Sequence, residues 1–283
     1  MDILKKVIID NGSVQLVVVN ATQLVQQSMV QSEAWPPATI HLGQGLLAAL
    51  ALLSIFTKDT TGKISLQWSS HGPFGDLYVE ADPQGNVRGT ILKPQAPVQN
   101  LYASMGAGNL MVRKTFQNSS TGIVSSKGDV CNDVLNYLDQ SEQRRCAMNL
   151  WVDLSWDDKN KNSPVIVRRA LGYLLESLPD SDLRKQTLKS QIWEDRLSEL
   201  GTLSKWNISQ KNPLEDMIQT ISSGSPYKEV MSQNIRFHCN CSEERAERAL
   251  ALAVRESGEP QIEDESIRCE FCGKVYNISP QNH

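Results

Sequence analysis

Near the C-terminus of this chain, FHCNCSEE (residues 237–244) is followed by RCEFCGK (residues 268–274). The two segments carry closely spaced thiol pairs: Cys239 with Cys241, and Cys269 with Cys272. Four thiolates in CxC and CxxC spacing can converge on one tetrahedral ion such as Zn²⁺. The alternatives are a redox CxxC of the thioredoxin kind, which lacks its usual βαβ setting here, and unrelated surface thiols. We therefore predict a four-cysteine zinc site.

A short helix is predicted between the two thiol pairs, in SEERAERALALAVRESGEP (residues 242–260). Ser242 is a favourable N-cap, and Gly258 and Pro260 are typical of a helix end. An apolar face follows the helical spacing: Ala246, Ala249, Leu250, Ala253 and Val254. A strand is predicted over VYNI, residues 275–278. A module this small rarely builds an adequate core unless a metal ion or disulfides cross-link it. Residues 232–283 are therefore predicted to form a zinc-binding domain. His238 is a competing ligand, but four cysteines already complete such a site.

Composition favours a globular protein with more than one domain. The chain has 283 residues, of which 40% are hydrophobic, and this is enough for a substantial core. The N-terminus has no apolar stretch of signal-peptide length, and the strongest apolar run, residues 46–56, is too short to cross a bilayer. We therefore expect a cytoplasmic protein with no membrane partner. In that reducing compartment, close cysteine pairs indicate metal binding or redox chemistry.

The charge balance argues against a nucleic-acid partner. The chain has 32 acidic and 28 basic residues, and residues 236–283 hold six Arg and Lys against nine Asp and Glu. Counterion release cannot drive binding from an acidic face, so a zinc-knuckle nucleic-acid binder is an alternative that charge disfavours. A thiol oxidoreductase is the second alternative. No GxxxxGK[ST] loop is present, and none of the four histidines has an obvious nucleophile partner, so we expect neither ATP use nor an enzyme.

The rest of the chain predicts an α+β protein in three parts. Residues 1–178 form an N-terminal mixed α/β domain with β-sheets, with a buried helix at residues 43–56 and another at 129–139. Strands are predicted at residues 63–68, 76–82, 87–92, 109–116, 122–126 and 148–154. After a polar stretch at 157–163, strand signals end and residues 164–231 are predicted to be helical in several pieces. Within them, residues 179–231 form a helical linker with these apolar residues: Leu188, Ile192, Trp193, Leu197, Leu200, Leu203 and Trp206.

The cysteine motif also resembles that of a known family. CNCSEER, a spacer of 27 residues (242–268) and CEFCGKVY are similar to the C-terminal zinc motif of the redox-regulated bacterial holdases called the 33 kDa chaperonin, or heat shock protein 33, family. The segments GQGLLAALALL, LQWSSHGPFGDLYVEAD, QGNVRGT, GAGNLMV and YLDQSEQ resemble its N-terminal domain in the same order. The likeness therefore covers nearly the whole chain.

The resemblance implies roles for the matching cysteines. Cys239, Cys241, Cys269 and Cys272 correspond to zinc ligands that are also the redox-active cysteines, with one Zn²⁺ per chain in the reduced form. Two other cysteines have no counterpart in the motif. Cys131 lies among apolar residues and is expected to be a buried structural thiol. Cys146 follows Arg144 and Arg145, which would lower its pKa if it were exposed.

The family's activity is that of an ATP-independent chaperone under oxidative stress. The resemblance implies a folded, inactive zinc form and an oxidised form that loses zinc, unfolds its C-terminal region, binds unfolded client proteins and forms homodimers. We predict the disulfides Cys239–Cys241 and Cys269–Cys272, because each pair is close along the chain in folded and unfolded states. We also predict that the helical linker couples the zinc site to client binding by melting, the alternative being a solvated hinge.

Overall fold

The computed structural model describes residues 2–56, 61–156, 165–179, 183–257 and 265–278. Its α-helices are α1 (Thr22–Ser32), α2 (Pro36–Phe56), α3 (Val130–Gln140), α4 (Leu183–Leu200), α5 (Pro213–Ser222) and α6 (Glu243–Ser257). Its strands are β1 (Ile3–Ile9), β2 (Val14–Asn20), β3 (Ile64–Ser70), β4 (Leu77–Ala81), β5 (Asn86–Ile91), β6 (Gly108–Thr115), β7 (Ser119–Ser126), β8 (Cys146–Trp156), β9 (Val165–Ser177), β10 (Tyr227–Asn234), β11 (Arg236–Phe237), β12 (Glu265–Arg268) and β13 (Val275–Ile278). The predicted α+β class is confirmed.

Helix α2 forms the centre of the protein, between two sheets. It contacts β2, β8 and β9 on one side and β3, β4 and β5 on the other, so apolar residues surround it. The predicted helix at 43–56 is confirmed, but it begins earlier, at Pro36, a favoured residue in the first helical position. The apolar run at 46–56 is too short to cross a bilayer by itself, but it is part of this longer helix. The helix is long and apolar enough to do so, although 89% of its most apolar window is buried within the protein.

The five-stranded sheet has the order β10-β1-β2-β9-β8, with all neighbours antiparallel. Alternate residues of its strands face opposite sides: Val17, Val19 and Leu174 point toward the central helices, whereas Val18 and Tyr173 belong to a second cluster on the outer face. Both faces of this sheet are therefore covered.

The prediction that strands end after residue 163 was wrong. β9 is buried on both faces, so its sequence lacks the apolar–polar alternation by which half-buried strands are recognised. β10 has a mostly exposed, polar sequence, and only its pairing with β1 makes it a strand. The predicted polar stretch at 157–163 lies outside the described residues.

The six-stranded sheet has the order β11-β5-β4-β3-β6-β7. The predicted strands from β3 to β8 are confirmed, with ends shifted by up to three residues. The inner face of the six-stranded sheet packs on α2, and residues there such as Leu66, Leu77 and Val79 are fully buried. Its outer face carries polar side chains, including Glu80 and Arg88, which lie directly opposite each other on β4 and β5.

The linker packs on the outer face of the five-stranded sheet. The helices predicted there are confirmed as α4 and α5, with a 3-10 turn at Leu203–Lys205 between them. The cluster on this face joins sheet residues to these linker residues: Trp193, Leu197, Leu203, Ile208, Leu214, Met217, Ile218 and Ile221, with Leu200 and Trp206 partly buried against them. Ile192 instead faces solvent, with 54% of its surface exposed, and the side chain of Leu188 lies outside the described part. The three-part division at 178 and 231 stays a prediction, and β10 runs across the second boundary.

Candidate metal centre

The four predicted cysteines come from two short knuckles. Cys239 and Cys241 follow β11, and Cys269 and Cys272 lie in the turn between β12 and β13. In that turn the amide of Gly273 donates to the carbonyl of Cys269, and the amide of Cys269 donates to the carbonyl of Lys274, both at 2.8 Å. Gly273 adopts a φ of +71°, which a glycine reaches without steric cost. The turn therefore directs both thiols of the second knuckle to one side.

The four thiol sulfurs form one cluster. Their Sγ atoms all lie within 4.8 Å of one another, and His238 is not part of the group. The Sγ atoms of Cys239 and Cys269 are 3.7 Å apart, and those of Cys241 and Cys272 are 3.4 Å apart. A tetrahedral site with zinc–sulfur bonds of about 2.3 Å has sulfur–sulfur distances of about 3.8 Å. The thiols present therefore fit a tetrahedral thiolate-bound ion.

The surroundings of the thiols differ, and those of Cys241 favour its thiolate form. Burial opposes ionisation of Cys241, but hydrogen bonds from Tyr276 and from the other three cysteines lower the pKa of its thiol to about 7. Burial and the neighbouring cysteines raise the pKa of the Cys272 thiol to about 12. Burial also raises the pKa of Cys239, and Arg88 partly offsets that effect. A bound cation would favour the deprotonated form of all four thiols.

The module that carries the thiols has a very small core. Its buried apolar residues within the described part are Ala246, Tyr276 and Ile278, with Cys241, Leu250 and Ile267 packed against them. The Tyr276 hydroxyl donates to the Cys241 Sγ at 3.1 Å, so this core contacts the ligand cluster directly. So little buried apolar area cannot stabilise a fold by itself. An ion bound by the four thiols would add a cross-link to this small core.

Helix α6 begins as predicted. The Ser242 hydroxyl accepts a hydrogen bond from the amide of Arg245 at 3.3 Å, which satisfies one of the free amides of the first turn. Of the predicted apolar face, Ala246 and Leu250 pack inward, whereas Ala249 is exposed. The side chains of Ala253 and Val254 and the predicted helix end at 258–260 lie outside the described residues.

The module docks on the outer face of the six-stranded sheet. β11 pairs in parallel with β5, and the amide of His238 donates to the carbonyl of Val87 at 3.0 Å. Arg268 forms an ion pair with Glu33 at the end of α1, at 2.5 Å. Between module and sheet lies a cleft of about 630 Å³ whose lining includes Glu33, Tyr78 and Cys269. The cluster is thus held against the N-terminal domain, with one of its cysteines on a solvent-accessible cleft.

A comparison of the sequence with models of protein families identifies the chain. The model described as Hsp33 protein matches residues 2–279. The chain belongs to the Hsp33 family. Relatives named 33 kDa chaperonin include those of Symbiobacterium thermophilum, 29% identical over 99% of this chain and 95% of the relative, and Streptococcus mutans, 29% identical over 98% and 96%. The family is therefore one of chaperones, as the sequence motifs predicted.

A solved Hsp33 structure has the same fold. The 33 kDa chaperonin of Thermotoga maritima, a heat shock protein 33 homologue, superposes with a TM-score of 0.77 and covers 98% of this chain and 94% of its own length. Its sequence is 19% identical. The Hsp33 fold is therefore present here in full, despite low sequence similarity.

The other two cysteines of this Hsp33 chain lie in the N-terminal domain. Cys131 is on α3, and its Sγ donates to the carbonyl of Met148 at 3.3 Å; burial raises the pKa of its thiol to about 12. Burial likewise raises the pKa of Cys146 to about 12, together with Glu176, and Arg144 only partly opposes this. Cys146 is thus half-buried, and burial outweighs the effect of Arg144 that would have lowered its pKa.

Sequence reasoning missed the residues that join the module to the sheet. Arg88 donates from Nη1 to the Cys239 Sγ at 3.4 Å, and its guanidinium lies 4.1 Å from the centre of the Phe271 ring. The Phe271 ring also packs edge-on against Tyr78, with 5.9 Å between centroids. The alternation LYVEA and VRGTI indicates that one face of β4 and β5 is polar. Nothing in that pattern indicates what covers the face.

Proposed function

We propose that this Hsp33-family chain is an ATP-independent holdase that is inactive when reduced and zinc-bound, and active when its four clustered cysteines are oxidised. The observation that carries the proposal is the convergence of Cys239, Cys241, Cys269 and Cys272 within 4.8 Å in a module with three buried apolar residues among those described. When bound, Zn²⁺ cross-links the two knuckles and so stabilises the module. The ligands are then thiolates, which are ready to react with an oxidant.

The energetics favour a switch over a permanent cross-link. A structural zinc contributes about 10 to 16 kcal/mol to the folding of such a module. Disulfides within CxC and CxxC close very small loops, and each contributes only about 1.5 to 2 kcal/mol. Oxidation replaces the strong constraint with two weak ones. The expected result is unfolding of the module.

The oxidation step balances with a peroxide or hypochlorous acid as the oxidant. In each knuckle two thiolates lose two electrons and form one sulfur–sulfur bond. Hydrogen peroxide takes up the two electrons with two protons from solvent and leaves as two water molecules, whereas hypochlorous acid takes them up with one proton and leaves as chloride and water. The cleft that reaches Cys269 gives a small oxidant access to the cluster.

The position of the linker supports a client-binding surface on the sheet face that it covers. α4 and α5 cover the outer face of the five-stranded sheet, where Val18, Leu171 and Tyr173 are 0 to 4% exposed. Melting of these helices would expose both that face and their own apolar side chains. Unfolded polypeptides bind such surface because it removes apolar area from water.

The zinc module and the linker are connected through β10. This strand follows α5, pairs with β1 and leads through the buried Ile235 to β11. The described contacts of the module run to α1, β4 and β5, whereas those of the linker run to the five-stranded sheet. We therefore infer that undocking of the module acts on the linker through this strand and not through direct packing.

One experiment tests the proposal. Light scattering of an aggregating client is recorded with the reduced and the peroxide- or hypochlorous-acid-treated protein, while released zinc is measured in the same samples. Suppression of scattering only after oxidation, in parallel with zinc release, supports the switch. Equal suppression by both forms would contradict it, and catalytic turnover of a dithiol substrate would favour an oxidoreductase.

A further inference from the structure

One arginine of the N-terminal domain contacts both knuckles of the thiol module. The Arg88 guanidinium donates to the Cys239 Sγ at 3.4 Å and lies 4.1 Å from the ring centre of Phe271. Phe271 stands between the two cysteines of the second knuckle, Cys269 and Cys272. The two knuckles are separated by α6 along the chain, so a single rigid group bridges distant parts of the module.

The guanidinium is also held by contacts within the six-stranded sheet that do not involve the module. Arg88 forms an ion pair with Glu80 through Nε at 2.8 Å, and the two side chains are 14% and 11% exposed. The Tyr78 hydroxyl donates to the same carboxylate at 2.8 Å, and Lys63 completes the group. A planar guanidinium presents several N–H donors at fixed angles, so an arginine can bind Glu80 and a sulfur at the same time.

We propose that Arg88 is a positioning residue that couples docking of the module to the integrity of the thiol site. This inference deepens the proposed redox function and rests on it. Four thiolates around a divalent cation keep excess negative charge, which a nearby cation stabilises. A disulfide at Cys239 carries no charge, and separation of the knuckles prevents Arg88 from holding Cys239 and Phe271 together. By thermodynamic reciprocity, docking must then tighten zinc binding as much as zinc tightens docking.

The first test measures zinc affinity of the full-length reduced protein by competition with a chromophoric chelator. Arg88→Gln should weaken zinc binding by about 10- to 100-fold, the range for partners of metal ligands. Arg113→Gln is the matched control, because Arg113 is exposed on β6 of the same sheet, and should leave the affinity unchanged. Arg268→Gln removes the exposed ion pair with Glu33 and should change it by at most about fivefold.

The second test reads docking directly by hydrogen exchange of the zinc-bound protein. The amides of Arg236 and His238 donate to the carbonyls of Gly85 and Val87 across the junction. In Arg88→Gln these amides should exchange faster, while amides of β8 and β9 keep their protection. Loss of protection throughout the domain would mean misfolding, and Phe271→Leu then serves instead, since it removes the ring contact and leaves the Arg88–Glu80 pair intact.

The outcomes separate this inference from the proposed function. Wild-type zinc affinity and exchange in both Arg88→Gln and Phe271→Leu would overturn the role of Arg88, even if the protein proved to be an oxidation-activated holdase. If Arg88→Gln weakens zinc binding but the oxidised wild-type protein has no holdase activity, the role of Arg88 is supported and the proposed function is contradicted. A wild-type chain that binds no zinc would overturn both.

Discussion

The indole ring of Trp206 stacks on the phenol ring of Tyr173, with centroids 5.5 Å apart and planes 14° from parallel. Tyr173 belongs to β9 and Trp206 to the linker. The Trp206 Nε1 donates to the carbonyl of Leu200 at 2.9 Å, which fixes the ring at the end of α4. This stack therefore ties the linker to the sheet face that it covers.

Truncation of this ring should partly open the linker. Trp206→Ala removes the stacking and part of the buried apolar area, so we expect a loss of about 1 to 3 kcal/mol in the stability of the docked linker. The reduced protein should then suppress client aggregation to a measurable degree in light scattering. Trp156→Ala is the control, because Trp156 is 65% exposed on β8, and it should behave as wild type. Reduced Trp206→Ala without any activity would argue against the linker as the cover.

Oxidation should melt α4 and α5. These helices carry charged residues among their apolar ones and gain their stability by docking. Hydrogen exchange of the reduced zinc form and the oxidised form should show loss of protection across Leu183–Leu200 and Pro213–Ser222, with β8 and β9 unchanged. Unchanged protection over residues 179–231 together with full holdase activity would show that the switch lies elsewhere, and that the segment is a hinge.

Zinc should bind in a ratio of one ion per chain. The four Sγ atoms lie within 4.8 Å of one another, and loss of one ligand would leave a four-cysteine site incomplete. Metal analysis of the reduced protein should return close to one equivalent, and Cys269→Ser should lower the affinity strongly. Cys131→Ser, far from the cluster along the chain, should keep the wild-type value. Full-affinity zinc binding by Cys269→Ser would contradict the four-cysteine site.

Oxidation should produce disulfides within each knuckle. In the folded state two sulfur pairs from different knuckles are close, Cys239 with Cys269 at 3.7 Å and Cys241 with Cys272 at 3.4 Å. Once the module unfolds, however, only Cys239 with Cys241 and Cys269 with Cys272 stay close along the chain. Peptide mapping of the oxidised protein should find these two pairs. Dominant cross-knuckle pairs would mean that bond formation precedes unfolding, and a Cys131–Cys146 bridge would contradict the assignment.

Cys131 and Cys146 should resist alkylation in the folded protein. Burial raises the pKa of both thiols to about 12, so at pH 8 roughly one molecule in 10⁴ carries the thiolate, against about a quarter for an ordinary cysteine. Reactivity should rise only as the pH approaches 12. Mass spectrometry after iodoacetamide treatment at pH 8 should find both unmodified in the native protein and modified in urea. Rapid labelling of native Cys146 would show that it is exposed.

The sequence predicted the thiol cluster because its information is local. Two thiol pairs flank a capped helix, and metal chemistry leaves few other arrangements for four cysteines at that spacing. Strands β3 to β8 could also be predicted, since their apolar–polar alternation and their turn residues are short-range signals. The helix at 36–56 was underestimated at its start, where His41 and Gln44 interrupt the apolar run. His41 is nonetheless buried, with Nε2 2.8 Å from the carbonyl of Ala103.

What the sequence did not predict depends on long-range pairing. β9 was assigned to a helical segment because both of its faces are covered, and β10 because its partner β1 lies more than 200 residues away. The role of Arg88 has the same origin. Glu80 is its neighbour on the adjacent strand, but Cys239 and Phe271 lie more than 150 residues further along the chain, and no spacing rule relates them to Arg88. Tertiary context overrides local preference at such positions.

The pairing of β10 with β1 over Tyr227–Asn234 has a consequence for recovery after oxidative stress. The strand fastens the chain to the N-terminal domain between the linker on one side and the thiol module on the other. If oxidation releases both segments, each should return to its own surface as a tethered ligand, at an effective concentration in the millimolar range for a short tether. Reassembly after reduction should be a first-order process whose rate does not change when the protein is diluted.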